Sequence, residues 1–383
     1  MGIERLARVQ PSLRIALTAD PELPVPPLHY GGIERIVDML ARNLALRGHE
    51  VTLFAHPRST CPVPNVGWRG PSSGSRLDTL RNAATLSRHV AVGRFDIVHS
   101  FSRLAYLAPL LPLAIPKLMS YQREISPRTT ALAHRLSRGS LEFSAISRQM
   151  MEKSPLSGIW HLVPNGVPLG SYAFRERVGP DAPLAFLGRI EEIKGPHIAI
   201  EVARRTGHKL VLAGNVPEAH RRWFETRIAP HIDDNQVRYV GPVDDVQKSQ
   251  LLGEARALLM PILWNEPFGI VMVEAMACGA PIIGFRRGAV PEVVAHGETG
   301  FVVDTTDEMS AAIDRIAEIA RAACRARVET LYSDATVTEA YLKIYARMIE
   351  RLRNRAGCDA DAPRIGSVTD KGLRARTKVA PER

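Results

Sequence analysis

Residues 264–279 read W-N-E-P-F-G-I-V-M-V-E-A-M-A-C-G, and their local pattern decides the fold. The preceding run, 257–263, is short and apolar with Pro261 inside it, which predicts a buried parallel strand. Residues 269–278 then predict a helix stopped by Gly279 and Pro281. Strand, loop and buried helix is the repeating unit of an α/β sheet. Glu274 is the one charged residue between Gly269 and Gly279, and a carboxylate on an otherwise apolar helix is costly unless something polar meets it. Glu266 lies in the loop before the helix with seven residues intervening, so both carboxylates can face one cavity at the helix mouth. Pro267 and Gly269 shape the turn between them and leave first-turn N–H groups pointing into the same space. Two readings stay open: a core arginine satisfies Glu274 while Glu266 is a helix-start acid favoured by the dipole, or the pair lines a ligand site.

Outward from this stretch, residues 13–18, 95–99, 117–121, 143–146, 184–188, 209–214 and 237–241 read as strands. Helical stretches are expected from Gly32 to near Gly48 and over 77–92, 308–323 and 337–353, and 59–75 reads as a surface loop. The alternation predicts an α/β protein with doubly wound parallel sheets. Gly31 and Gly32 stand between the first strand and an amphipathic helix carrying Ile33, Ile36, Val37, Leu40 and Leu44. Glycines there let backbone approach an anion at the positive end of a helix, although such a pair also makes an ordinary tight turn. Arg189 and Lys194 flank the next strand-to-helix turn, where a guanidinium fork and an ammonium can reach one pyrophosphate. The alternative is two solvated basics beside Glu191 and Glu192. His99, at a strand end, is either a cleft residue or a structural one.

A chain of 383 residues with 45% hydrophobic and 23% charged residues is comfortable for two soluble domains. Cys61, Cys278, Cys324 and Cys358 have no C-x-x-C or zinc spacing, which predicts reduced thiols in a cytoplasmic setting. No signal-peptide succession opens the chain, and the most apolar run, 104–116, is short and carries three prolines, so no membrane-spanning helix is expected. Of the formal charge of +10, residues 1–165 hold 20 Lys+Arg against 11 Asp+Glu, 166–355 hold 24 against 25, and the tail holds 6 against 4. The basic first half fits an anionic acceptor or peripheral contact with a membrane, or is merely an Arg-rich surface. Nucleic acid is not expected, because no aromatic interleaving accompanies the arginines. Asp359-Ala360-Asp361 has a metal-binding form but falls in a polar tail, so it is rejected as a metal site.

Residues 264–279, continued by G-A-P-I-I-G-F-R-R-G-A-V-P-E-V-V-A-H-G-E-T-G-F-V-V-D to Asp304, resemble the E-x7-E signature of the family 4 (GT4) retaining glycosyltransferases related to glycogen and sucrose-phosphate synthases. H-Y-G-G-I-E-R at 29–35 and G-R-x4-K-G at 188–195 resemble that family's glycine loop and diphosphate clamp. The resemblance implies a GT-B architecture of two Rossmann-like domains facing a cleft. Its domains would span 12–165 and 170–333, with helix 334–355 crossing back and 356–383 a disordered basic tail. It implies transfer of a hexose from a nucleoside diphosphate sugar, UDP expected, to a hydroxyl acceptor, with retention and without a metal or other cofactor. The acceptor would be a saccharide, a lipid-linked compound or a small hydroxyl compound. By resemblance, Glu266, Arg189 and Lys194 form the catalytic set. Gly31, Gly32, Gly241, Val243, Phe268, Gly269, Ile270 and Glu274 complete the donor site, Glu274 on the ribose and Glu266 on the sugar, with Asn215 a weaker candidate for the base pocket. S-Y-Q at 120–122 departs from the family's Thr-aromatic-His triplet; Gln122 can hydrogen-bond a sugar but cannot transfer a proton. Alternatives on the same fold are a phosphorylase, a nucleotide-sugar epimerase or a catalytically silent nucleotide-sugar-binding protein.

Overall fold

The computed structural model describes residues 11–28, 31–152 and 155–361, with side chains as far as Arg355. The expected leader over 1–10, His29 and Tyr30 of the glycine motif, and the tail from 362 lie outside the described residues. Seven strands form a first sheet: β1 (Arg14–Thr18), β2 (Glu50–Ala55), β3 (Asn65–Gly67), β4 (Ile97–Ser100), β5 (Lys117–Tyr121), β6 (Leu141–Ala145) and β7 (Trp160–Leu162). Their order is β3-β2-β1-β4-β5-β6-β7. Six more form a second: β8 (Leu184–Leu187), β9 (Leu210–Ala213), β10 (Val237–Tyr239), β11 (Ala257–Met260), β12 (Ile282–Phe285) and β13 (Gly300–Val303), ordered β10-β9-β8-β11-β12-β13. All neighbouring strands run parallel. Central strands such as β11 and β12 are buried at every position, which is why they read as unbroken apolar runs: helices cover both faces.

Each sheet reverses its winding once, between β1 and β4 in the first and between β8 and β11 in the second. The crevice beyond the carboxyl ends of the strands at such a switch point is where a doubly wound sheet takes its ligand.

Three local expectations are corrected. The loop over 59–75 contains β3, whose three residues are too few to leave a period. The helix expected over 308–323 is broken into Thr306–Asp314, a 3-10 turn at Ile316–Glu318 and a helix Arg321–Leu331. Ile316 and Ile319 turn inward there, and Arg321 is drawn into the core, where its guanidinium donates to the carbonyls of Arg175, Gly253, Ala255 and Cys278. The last helix, Asp334–Asp361, starts where the crossing helix is expected, three residues before the apolar stripe from Val337, and runs past 355 into the expected tail, so it contains the backbone of the Asp359-Ala360-Asp361 triplet.

That last helix packs on the first half of the chain. Val337, Tyr341, Tyr345 and Met348 are buried with Ile15, Leu17, Leu40 and Leu44, each such side chain contributing about 1.5–3 kcal/mol by its removal from water. Arg351 pairs with buried Glu142 at 2.8 Å, and His161 meets the same carboxylate.

Candidate functional site

The second sheet's switch point carries the sequence-predicted donor residues. Gly195 follows the 3-10 turn Glu192–Lys194 with φ +75, and a Cβ there would stand 2.0 Å from the carbonyl oxygen of Pro261. Only glycine lets the β8 loop press onto the end of β11, and this approach delivers Lys194 to Glu266. The Lys194 ammonium donates to Glu266 Oε2 at 2.5 Å, and Trp264 Nε1 donates to the same oxygen at 3.0 Å. The ammonium also lies 4.8 Å from the Trp264 ring centroid, a cation–π contact. Gly288 encloses the carboxylate's backbone: a Cβ would come within 2.2 Å of the Glu266 carbonyl oxygen. An ammonium has three donors, so the pair holds Lys194 in place with donors left for an anion.

Arg189 is paired with Glu191 at 2.8 Å, and Glu191 is buried. The reading of two solvated basics beside solvated acids therefore fails for this pair. Gly269 caps the helix Ile270–Ala277 in the left-handed region, placing the amides of Ile270 and its neighbours at the helix mouth. Phe268 turns its ring into the core against Tyr332, which leaves only its backbone for a ligand. Gly31 precedes the helix Gly32–Leu46 as its N-cap residue. Gly241, Val243 and Asn215 are half-buried in the loops after β10 and β9.

Glu274 is buried, and its partner is a lysine rather than the core arginine entertained from sequence. Its Oε1 accepts from Lys248 Nζ at 2.5 Å and from the Tyr172 hydroxyl at 2.8 Å. Lys248 reaches Asp245 at 3.1 Å, and Asp245 accepts from Arg35 at 2.6 Å and 2.8 Å. Arg35 belongs to the glycine-loop helix, so a chain of alternating charges crosses from one half of the molecule to the other. Burial works to raise the Asp245 pKa, and Lys248 and Arg35 outweigh it, holding the carboxyl below its usual range. Burial and then Glu274 push the Tyr172 phenol up, so it donates and stays neutral.

The two carboxylates of the E-x7-E stretch thus hold separate cations. Sequence reasoning missed Lys248, Tyr172, Asp245 and the Trp264 contact. A signal for Lys248 existed: only eight of the 50 basic residues are lysines, and it is the one lysine between Lys209 and Lys343.

At the first sheet's switch point, His99 is fully buried, with Nδ1 2.5 Å from the Tyr345 hydroxyl and Nε2 2.7 Å from Ser120 Oγ. Burial lowers its pKa to about 3. Of the two readings left open by its strand-end position, the cleft residue on the acceptor side or the structural one, this burial under the last helix is that of a structural residue. Gln122 instead lines a cavity of about 530 Å³ together with Asp20. Burial raises the Asp20 pKa, partly opposed by Arg123, whose guanidinium is 3.3 Å from Oδ2.

Two family descriptions match the chain: Glycosyl transferases group 1 over residues 175–328 and Glycosyltransferase Family 4 over residues 30–170. It is 32% identical to a glycogen synthase of Mycobacterium tuberculosis, across 84% of this chain and 92% of that protein. It is 28% identical to a phosphatidyl-myo-inositol mannosyltransferase of Mycolicibacterium smegmatis, across 80% of this chain and 85% of that one. The solved sucrose-phosphate synthase of Thermosynechococcus elongatus superposes with a TM-score of 0.73 at 20% identity, covering 88% of this chain and 100% of that chain, a likeness of fold. Two parallel-sheet α/β halves of this kind are the GT-B glycosyltransferase fold. The chain belongs to the family 4 glycosyltransferases.

Proposed function

We propose that this glycosyltransferase moves a hexosyl group from a nucleoside diphosphate sugar, UDP the expected nucleotide, to a hydroxyl acceptor, with retention of configuration and without a metal ion. The two sheets are read as two domains, 12–165 and 170–333, with the donor on the second. The observation that carries the reading is the Lys194–Glu266 pair beside Arg189 at the second switch point. Breaking the anomeric carbon–oxygen bond puts negative charge on the departing diphosphate, and fixed positive charge there is stronger in the transition state than in the ground state. Arg189, Lys194 and the helix mouths at Gly31 and Ile270 are the groups that would supply it. Glu266 would hold sugar hydroxyls, and Glu274 the ribose. The acceptor oxygen bonds to the anomeric carbon as the phosphate oxygen leaves, and the hydroxyl proton passes to that oxygen.

Thermal-shift measurements across UDP, GDP, ADP and their hexose conjugates test the reading, since a ligand of the folded state raises its stability. One nucleotide series is expected to raise the melting temperature, and Lys194→Ala to remove the rise; no shift with any series overturns the assignment. Among the described residues no helix is long and apolar enough to cross a membrane. Peripheral contact is proposed on the first half's basic charge and the exposed Leu77, Leu80 and Val92 of the helix Arg76–Gly93. Co-sedimentation with anionic but not neutral vesicles is the expected result.

A further inference from the structure

Trp264 lies where the loops after β8 and β11 meet. The Leu263 amide donates to the Ile193 carbonyl at 2.8 Å, which fastens the chain before Trp264 to the turn carrying Lys194. After it in the chain, the Glu266 amide donates to the Trp264 carbonyl at 3.1 Å and the Ala289 amide to the Glu266 carbonyl at 2.9 Å. The backbone over 263–266 is tied down by these bonds, so the freedom left at this point is in the side chains.

Lys194 alone does not decide how the Glu266 carboxylate is turned, because an ammonium is a compact charge that either oxygen, or both together, can approach. The indole decides it. Trp264 Nε1 donates at 3.0 Å to Oε2, the oxygen that also receives Lys194 Nζ. Oε1 meets no donor among the described residues and stays open to solvent. An indole nitrogen donates and does not accept, so it anchors the carboxylate in this sense only.

The same ring has a second hold on the pair, since the Lys194 ammonium lies 4.8 Å from its centroid. The face that attracts the cation and the N–H that binds the anion belong to one rigid plane. A single side chain therefore fixes both ions relative to each other. The Lys194 and Glu266 side chains are 16% and 13% exposed, and Trp264 is half-buried. Away from bulk water a hydrogen bond to a charged group counts for more than at an open surface.

We propose that Trp264 is a positioning residue for the donor: together with Lys194 it occupies Oε2 of Glu266, so that Oε1 alone is presented to the hydroxyls of the hexosyl group. It also keeps the carboxylate from closing on the ammonium with both oxygens, which preserves donors of Lys194 for a phosphate. The proposal rests on the transferase reading above and deepens it, because Glu266 is there the group that holds the sugar.

The test uses the full chain and calorimetric titration with UDP-glucose, GDP-mannose and ADP-glucose, each beside its free nucleoside diphosphate. Trp264→Phe keeps an aromatic face for Lys194 and removes the N–H. For the series that the wild type binds, this variant is expected to weaken the nucleotide sugar about three- to tenfold and to leave the free nucleotide within about twofold of wild type. In a Glu266→Ala background, where the group acted upon is gone, Trp264→Phe is expected to add less than about a twofold change. A residue that merely supports the loop would weaken sugar conjugate and free nucleotide alike, and would cost the same in both backgrounds; either result overturns the proposal. Wild-type affinities in Trp264→Phe overturn it as well, as does a Glu266→Ala variant that keeps the wild-type affinity for the nucleotide sugar. A wild type that binds none of the nucleotides sinks the transferase reading itself, whereas nucleotide binding with any of the contrary results sinks only the role given to Trp264.

Discussion

The two switch points hold their buried carboxylates with different closeness. In the second sheet each carboxylate near the crevice is matched by a cation: Glu191 by Arg189, Glu266 by Lys194 and Glu274 by Lys248. In the first, buried Asp20 meets the Arg123 guanidinium at 3.3 Å, on a side chain that is 67% exposed. Matched charges hold their geometry before any substrate arrives, which is the condition for stabilising a developing charge without reorganisation at the moment of reaction. A longer pair to an exposed guanidinium compensates the burial of Asp20 less fully, and its carboxyl stays above the usual range. The difference separates a half whose charges are fixed in close pairs from a half whose buried carboxylate is held loosely.

The largest expected effect is on the matched side. Lys194→Ala and Glu266→Ala should each lower kcat/KM by about a thousandfold, about 4 kcal/mol of transition-state stabilisation, while circular dichroism stays native; wild-type turnover in either variant refutes the site. Next is stability. Lys248→Met strands a buried Glu274 and should destabilise the protein by about 3–5 kcal/mol, read from the urea midpoint at constant m. Lys248→Met with Glu274→Gln should recover most of that loss; a double variant as unstable as the single one would show that the pair is not the cause. The smallest effect has the opposite sign. Asp20→Asn removes a desolvated carboxylate and should stabilise the ligand-free protein by about 1 kcal/mol at neutral pH. Because burial raises the folded pKa above the ordinary 3.8, the wild type carries the full penalty above the raised value. It recovers stability as the folded carboxyl protonates, and is free of the penalty once pH is below 3.8. The advantage of the variant should therefore vanish on acidification; an advantage independent of pH would exclude ionisation of Asp20 as its source.

Legibility in the sequence follows the same divide. The second half is readable because its demands are local: Gly195 and Gly269 occupy left-handed turns, and Arg189, Lys194 and Glu266 lie next to the strands that aim them. Partnerships between distant segments leave no local trace. Nothing near Glu274 announces Lys248, 26 residues upstream, and nothing near His99 announces Tyr345 across 246 residues. The sequence puts His99 at the end of its strand, whereas the strand runs one residue further, Ile97–Ser100. Only the last helix shows why that position is sealed from the cleft. Asp20 has no period or motif to mark it, since its partner Arg123 lies 103 residues further on.

The seating of the last helix on the opposite half also sets an order of assembly. Strands β1 to β7 are synthesised first, yet the layer that encloses them includes Val337, Tyr341 and Tyr345, which leave the ribosome after the entire second sheet. A nascent chain therefore carries an uncovered apolar flank, and a hydrated His99, through the translation of roughly half its length, a period in which chaperones have something to hold.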